Sequence, residues 1–253
     1  MWCLFDSDLF NDQLFWPRDD DSPPPPGAHD RMVTVAPGVA LHLRFHRRPG
    51  TRGACLLFHG NGEIVADYDP IADDFAAAGL DLVVVDYRGY GASGGRPTLR
   101  ALIADSDPVF AAFHQEIGDR PSLIMGRSLG GIAAAFLSAS ALPGVRGLIF
   151  ESAAADLIGL VRRRGIPDAM ISEVDRQDFD PNRRARQATL PSLVLHGERD
   201  DLIVPEVAET LYRELGSAEK RLVWVPRRGH NDLSQSPVYW AALTRFAAEH
   251  LPD

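Results

Sequence analysis

The chain has 253 residues, 45% of them hydrophobic, which suits one large α/β domain with a sizeable core. Thirty-five acidic residues against 26 basic ones leave a net charge of −9, which argues against a nucleic-acid partner. Two cysteines, Cys3 and Cys55, do not make a disulfide scaffold, and no uninterrupted apolar run of about 18 residues is present to span a membrane.

Residues 1–30 stand apart as an N-terminal extension. "MWCLFDSDLFND" lacks the basic start of a secretory signal, so the chain reads as cytoplasmic. Trp2, Leu4, Phe5, Leu9, Phe10, Leu14, Phe15 and Trp16 are too apolar for a free tail. Two expectations follow: the segment packs back onto the domain, or residues 1–16 serve as a lid or weak membrane contact with Cys3 as an acylation site. "PRDDDSPPPPG", residues 17–27, is an acidic, proline-rich linker.

The domain is placed at 31–253. "RMVTV" and "VALHLRFH" flank the turn "APG" as two strands of a hairpin. "ACLLFHG" is a strand with Cys55 as a small buried hydrophobe, and "VADYDPIADDFAAAG" an amphipathic helix ended by Gly79. The run "LDLVVVDYRG" is that of a parallel strand covered on both faces. "LRALIADSDPVFAAFHQEIG" predicts a helix that Pro108 kinks or restarts after Asp107. "PSLIMG" is a strand feeding the small-residue helix "LGGIAAAFLSASA", and "VRGLIFES" is the next strand.

Residues 154–187 are polar and Arg-rich with one apolar patch, and fit a lid insertion; the run Arg162–Arg164 within it reads as a solvated face. Strand "PSLVLHG", helix "PEVAETLYREL", strand "KRLVWVP" and helix "SPVYWAALTRFAAEHL" complete the chain, the last with Ser236 as N-cap and Pro237 as first helical residue. Strands alternating with helices predict a mostly parallel, doubly wound α/β sheet.

In such a sheet the ligand site lies beyond the carboxyl ends of the strands. Ser128 stands there between Gly126 and Gly130, in the G-x-S-x-G spacing that places a serine on a sharp strand-to-helix turn. His230 follows the last strand, and Asp200 and Asp201 follow the one before. Either aspartate suits the acid that orients a catalytic imidazole. His59 and His196 each precede a glycine at a strand end and shape turns. The N–H groups of Leu129 and Asn61 suit an oxyanion site. Glu63, in the same turn, is either a first-turn helix acid or a carboxylate at the mouth of the site. No metal-ligand spacing, P-loop or dinucleotide fingerprint occurs, so no cofactor or metal is expected.

Over residues 31–250, "HGNG" (59–62), "DYRGYGASGG" (86–95), "GRSLGG" (126–131), "HGERDDLIVP" (196–205) and "GHNDL" (229–233) resemble the serine hydrolases of the α/β-hydrolase superfamily. They are similar to its small-lid branch, which includes the protein depalmitoylases and bacterial homologues. The resemblance implies an eight-stranded sheet with an antiparallel second strand, and a triad on Ser128, Asp200 and His230. It gives Asp86, Arg88 and Tyr90 a structural role beside the site. The implied reaction is hydrolysis of a small-molecule ester or thioester. A peptidase or amidase of the same fold, or a non-catalytic binding protein that kept it, are the alternatives.

Overall fold

The computed structural model describes residues 3–252; Trp2, counted above among the apolar N-terminal residues, lies outside them. In chain order the strands are β1 (Ala28–Ala36), β2 (Val39–His46), β3 (Gly53–Phe58), β4 (Leu80–Val85), β5 (Ser122–Arg127), β6 (Val145–Glu151), β7 (Ser192–Gly197) and β8 (Lys220–Val225). They form one sheet of order β1-β2-β4-β3-β5-β6-β7-β8. The strand β2 runs antiparallel to both β1 and β4, and every other pairing is parallel. This is the α/β-hydrolase topology that the resemblance implies. Every residue of β3, β4, β5 and β7 is buried, because helices cover both faces of the parallel strands.

The α-helices are α1 (Asp8–Leu14), α2 (Ala72–Ala77), α3 (Leu99–Ile117), α4 (Gly130–Leu137), α5 (Leu157–Arg163), α6 (Glu173–Asp178), α7 (Pro181–Ala185), α8 (Pro205–Glu214) and α9 (Pro237–His250). The single helix expected before Gly79 is instead a 3₁₀ segment, Val65–Ile71, followed by α2. Pro70 within it has no N–H to donate, and its ring disfavours an α-turn on the preceding residues. The buried Val65, Tyr68, Ala72 and Phe75 still follow a helical spacing toward the sheet. Conversely, α3 runs unbroken through Pro108, where a kink or a restart was expected. Packing of ten buried residues along α3 outweighs the one backbone hydrogen bond that proline removes.

The strand β1 begins at Ala28, paired with His46, inside the stretch expected to belong to the N-terminal extension. The proline-rich segment before it is also tied down: Gly91 N–H donates to the Arg18 carbonyl at 2.9 Å, and buried Arg44 donates to the Ser22 carbonyl at 2.7 Å. Ahead of it, α1 is capped by Ser7, which accepts from Phe10 N–H. Phe5, Phe10, Leu14 and Phe15 join the main core, each burial contributing about 1.5–3 kcal/mol. Asp175 of α6 accepts from the Leu4 and Phe5 amides and from the Cys3 thiol, while Arg96 and Arg100 of the following segment pair with Asp6, Asp8 and Asp12. The N-terminal segment is therefore a strap held on the domain, with Cys3 buried beneath it.

Residues 154–187 fold as α5, α6, α7 and one 3₁₀ turn, Asp168–Met170. Among the described residues, no helix is long and apolar enough to cross a membrane.

Candidate active site

Ser128 occupies the step from β5 into α4 with a φ of +50°, a left-handed conformation that non-glycine residues adopt only under constraint. Its N–H donates to the Glu151 carbonyl at 2.8 Å, and its own carbonyl accepts from the Gly131 and Ala154 amides. A β-carbon at Gly130 would overlap the Phe58 carbonyl, and one at Gly126 would overlap the Gly130 carbonyl. The two glycines thus let β5, β3 and α4 approach closely enough to hold the serine in that conformation.

His230 comes from the loop after β8. Its Nε2 lies 2.9 Å from Ser128 Oγ and its Nδ1 lies 2.8 Å from Asp200 Oδ2. All three residues are buried. The other Asp200 oxygen accepts from the Leu202 and Ile203 amides at 3.1 and 2.8 Å. Burial pushes the Asp200 carboxyl upward, but the hydrogen bond and charge of His230, with the Ile203 N–H, hold it below the usual carboxylate range. An ionised Asp200 requires the imidazole proton on Nδ1, which leaves Nε2 free to accept from the serine hydroxyl. Asp201, the rival acid, points into solvent.

The turn after β3 brings Asn61 to the same pocket as Leu129. The backbone N–H groups of both are unclaimed by any acceptor among the described residues. The Asn61 side chain accepts from the Tyr90 hydroxyl at 2.7 Å and from Trp16 N–H at 3.0 Å, and donates to the Leu14 carbonyl. Tyr90 therefore supports the site through Asn61, and the N-terminal strap touches it directly. Neither role foreseen for Glu63 holds. It precedes the 3₁₀ segment, and its carboxylate turns away from the pocket to accept from Gly60 N–H and Tyr68 OH, both at 2.7 Å.

The partner that sequence reading missed is Arg127, the variable residue inside the serine motif. It pairs with Glu63, lies 3.3 Å from Glu151, and donates to the His230 carbonyl at 3.2 Å and to Asn231 Oδ1 at 2.9 Å. One buried guanidinium so joins the turn after β3, the serine turn and the histidine loop. Its place at the end of β5 was the only sequence signal. His59 and His196 are both buried; His59 Nδ1 lies 2.7 Å from the Gly60 carbonyl and His196 Nε2 2.8 Å from the Ile203 carbonyl, as turn-shaping residues do.

A pocket of about 170 Å³ opens over Ser128 and His230, walled mainly by Leu14, Leu129, Leu157, Leu160, Leu202 and Ile203. Leu14 belongs to the strap and Leu157 and Leu160 to α5, so the N-terminal extension and the 154–187 segment share the walls.

The Hydrolase_4 family, described as serine aminopeptidase S33, matches residues 49–170 and 160–235, spanning most of the domain and the ends of β3, β5, β7 and β8. The chain belongs to the α/β-hydrolase superfamily. It is similar to protein bem46 of Schizosaccharomyces pombe, 29% identical over 209 residues, covering 80% of this chain and 69% of that protein. Human alpha/beta hydrolase domain-containing protein 17B is 28% identical over 231 residues, covering 87% of this chain and 75% of its own. Among solved structures, the Pyrococcus furiosus esterase Pf2001 superposes with a TM-score of 0.75 at 16% identity, covering 93% of this chain and 97% of that one. This α/β hydrolase therefore shares its fold with esterases of very different sequence.

Proposed function

We propose that the protein is a serine hydrolase that cleaves carboxylic ester or thioester bonds through an acyl-enzyme. The observation that carries this reading is the chain of contacts from Ser128 Oγ to His230 Nε2 at 2.9 Å and from His230 Nδ1 to Asp200 at 2.8 Å. Ser128 attacks the substrate carbonyl as His230 takes its proton, and ionised Asp200 stabilises the imidazolium that forms. The carbonyl oxygen, now negative, rests on the Asn61 and Leu129 amides near the start of α4. The intermediate collapses, the carbonyl–leaving-group bond breaks, and His230 returns its proton to the departing alcohol or thiol. Water, deprotonated by His230, then cleaves the acyl-serine bond and restores the enzyme.

Esters and thioesters are favoured because their leaving groups need less protonation than the amine of an amide, and the walls are mainly apolar. The description of the matched family as an aminopeptidase keeps amide cleavage as a second reading. A fluorophosphonate probe tests the nucleophile: the wild type should label covalently and Ser128→Ala should not. A folded wild type that stays unlabelled overturns the enzyme reading. Matched ester, thioester and amide substrates then separate the two reactions.

A further inference from the structure

The three consecutive arginines of the lid do not share one environment. Arg162 pairs with Asp168 at 2.6 Å and Arg163 lies 3.6 Å from Asp156. Arg164 has no ion-pair partner among the described residues, and it lines the pocket that holds Ser128. No acidic side chain lines that pocket. The pocket's other charged residue, Arg127, is committed to Glu63 and Glu151. A protein of net charge −9 thus offers its substrate pocket one uncommitted cation.

The placement of that cation has a geometric cause. Leu157, Leu160 and Arg164 lie three and four residues apart, so they share one face of α5 and its C-cap. Exposure rises along that face, from 1% at Leu157 through half-buried Leu160 to exposed Arg164. The lid begins against the nucleophile, where Ala154 N–H donates to the Ser128 carbonyl at 2.9 Å. At the helical rise per residue, the Arg164 backbone stands about 10 Å further along the axis than that of Leu157. The face therefore passes from reacting centre to leucine wall to guanidinium at the mouth.

We infer that Arg164 recognises an anionic group on the substrate, with the leucine wall of the pocket lying between that group and the scissile carbonyl. A guanidinium holds a carboxylate, sulfonate or phosphate through paired N–H donors, and the leucine wall covers the intervening chain. This inference rests on the acyl-transfer reading for the position of the reacting bond. Because Arg164 is exposed, its charge acts in a screened setting, and the selectivity it supplies is about fivefold.

The test uses the intact protein and its Arg164→Ala and Arg164→Glu variants. Their kcat/KM values are compared on 4-nitrophenyl octanoate, on 4-nitrophenyl hydrogen suberate, which ends the acyl chain in a carboxylate, and on 4-octanoyloxybenzenesulfonate, which puts the anion on the leaving group. In at least one anionic arm, the ratio to the neutral ester should fall about fivefold in Arg164→Ala, mainly through KM, and further in Arg164→Glu. The arm that responds tells which side of the scissile bond carries the charge. Unchanged ratios in both arms overturn the proposal. A second measurement does not need turnover: on Ser128→Ala, calorimetry should find monomethyl suberate bound more tightly than dimethyl suberate, and Arg164→Ala should erase the difference. Equal binding together with unchanged ratios in both arms overturns the proposal. Failure of the hydrolase reading would look different, as absence of Ser128-dependent turnover of every ester with the binding difference intact.

Discussion

The Asn61 side chain donates its amide to the Leu14 carbonyl, tying the turn after β3 to the N-terminal strap. The same residue offers its backbone N–H to the pocket, so the strap and the candidate oxyanion site share one support. Asn61→Ala removes the tether while leaving the backbone donor in place. Urea unfolding should find a loss of about 1–3 kcal/mol, the cost of leaving buried polar partners unmet. The kcat for a short 4-nitrophenyl ester should fall, but by less than the roughly 10²–10³-fold penalty for removing a donor outright. Wild-type kcat in the variant would show that the strap does not steady the turn.

Asp200 faces His230 and Asp201 faces solvent, so substitutions at these adjacent positions should differ by orders of magnitude. Asp200→Asn should lower kcat by about 10⁴-fold, because an amide no longer selects the required imidazole tautomer. Asp201→Asn should stay within about twofold of the wild type, as an exposed side chain remote from the reacting groups does. Steady-state ester hydrolysis by the two variants decides it, and the reverse order would move the acid to Asp201.

His46 is buried beside two arginines. Burial, then the charges of Arg48 and Arg44, hold its imidazole down to about 4, against 6.5 for the free side chain. A depressed value means that the unfolded chain takes up this proton before the native protein does. The stability it contributes is complete above pH 6.5 and drains away as pH falls toward 4. The buried His42 works in the opposite sense: burial pulls it down, but Asp86 and Asp30 outweigh that and raise it, so its contribution is present at low pH and lost as pH rises through its native value. Urea midpoints across the acid window should decline less steeply in His46→Gln than in the wild type. Parallel curves would remove His46 as the cause.

Cys3 should be inert in the folded protein. Burial, then its hydrogen bond to Asp175, pushes the thiol up to about 12. Cys55, sealed inside β3, is pushed up by burial alone. Intact-mass analysis after native maleimide treatment should find the wild type unmodified. In Asp175→Ala, which releases the strap, one label should appear and map to Cys3. Prompt labelling of Cys3 in the wild type would contradict this placement of the strap. It follows that acylation of Cys3 requires the strap to leave Asp175.

Much of the fold was legible because its signals are local. Apolar runs marked the buried strands, glycines marked the serine turn, and Ser236 with Pro237 marked the start of α9. Proline acts on local backbone, and tertiary packing kept α3 continuous through Pro108 while the segment around Pro70 became a 3₁₀ turn before α2. The strap was ambiguous because apolar residues do not specify what they pack against.

The sequence by itself determined the α/β alternation, the order of the strand ends, and the residue types available to the site. These depend on hydrophobic periodicity and on backbone preferences that reach only a few residues along the chain. Residue types left two adjacent aspartates open as the acid, and tertiary structure shows Asp200, the one the resemblance implies, facing His230. It also decided that Arg127 gathers three loops, that Glu63 turns away from the pocket, and that Arg164 turns toward it. Those outcomes depend on the direction of single side chains across gaps of up to 104 residues in sequence. Directions of that kind are set by packing and charge pairing in three dimensions, and no one-dimensional pattern records them.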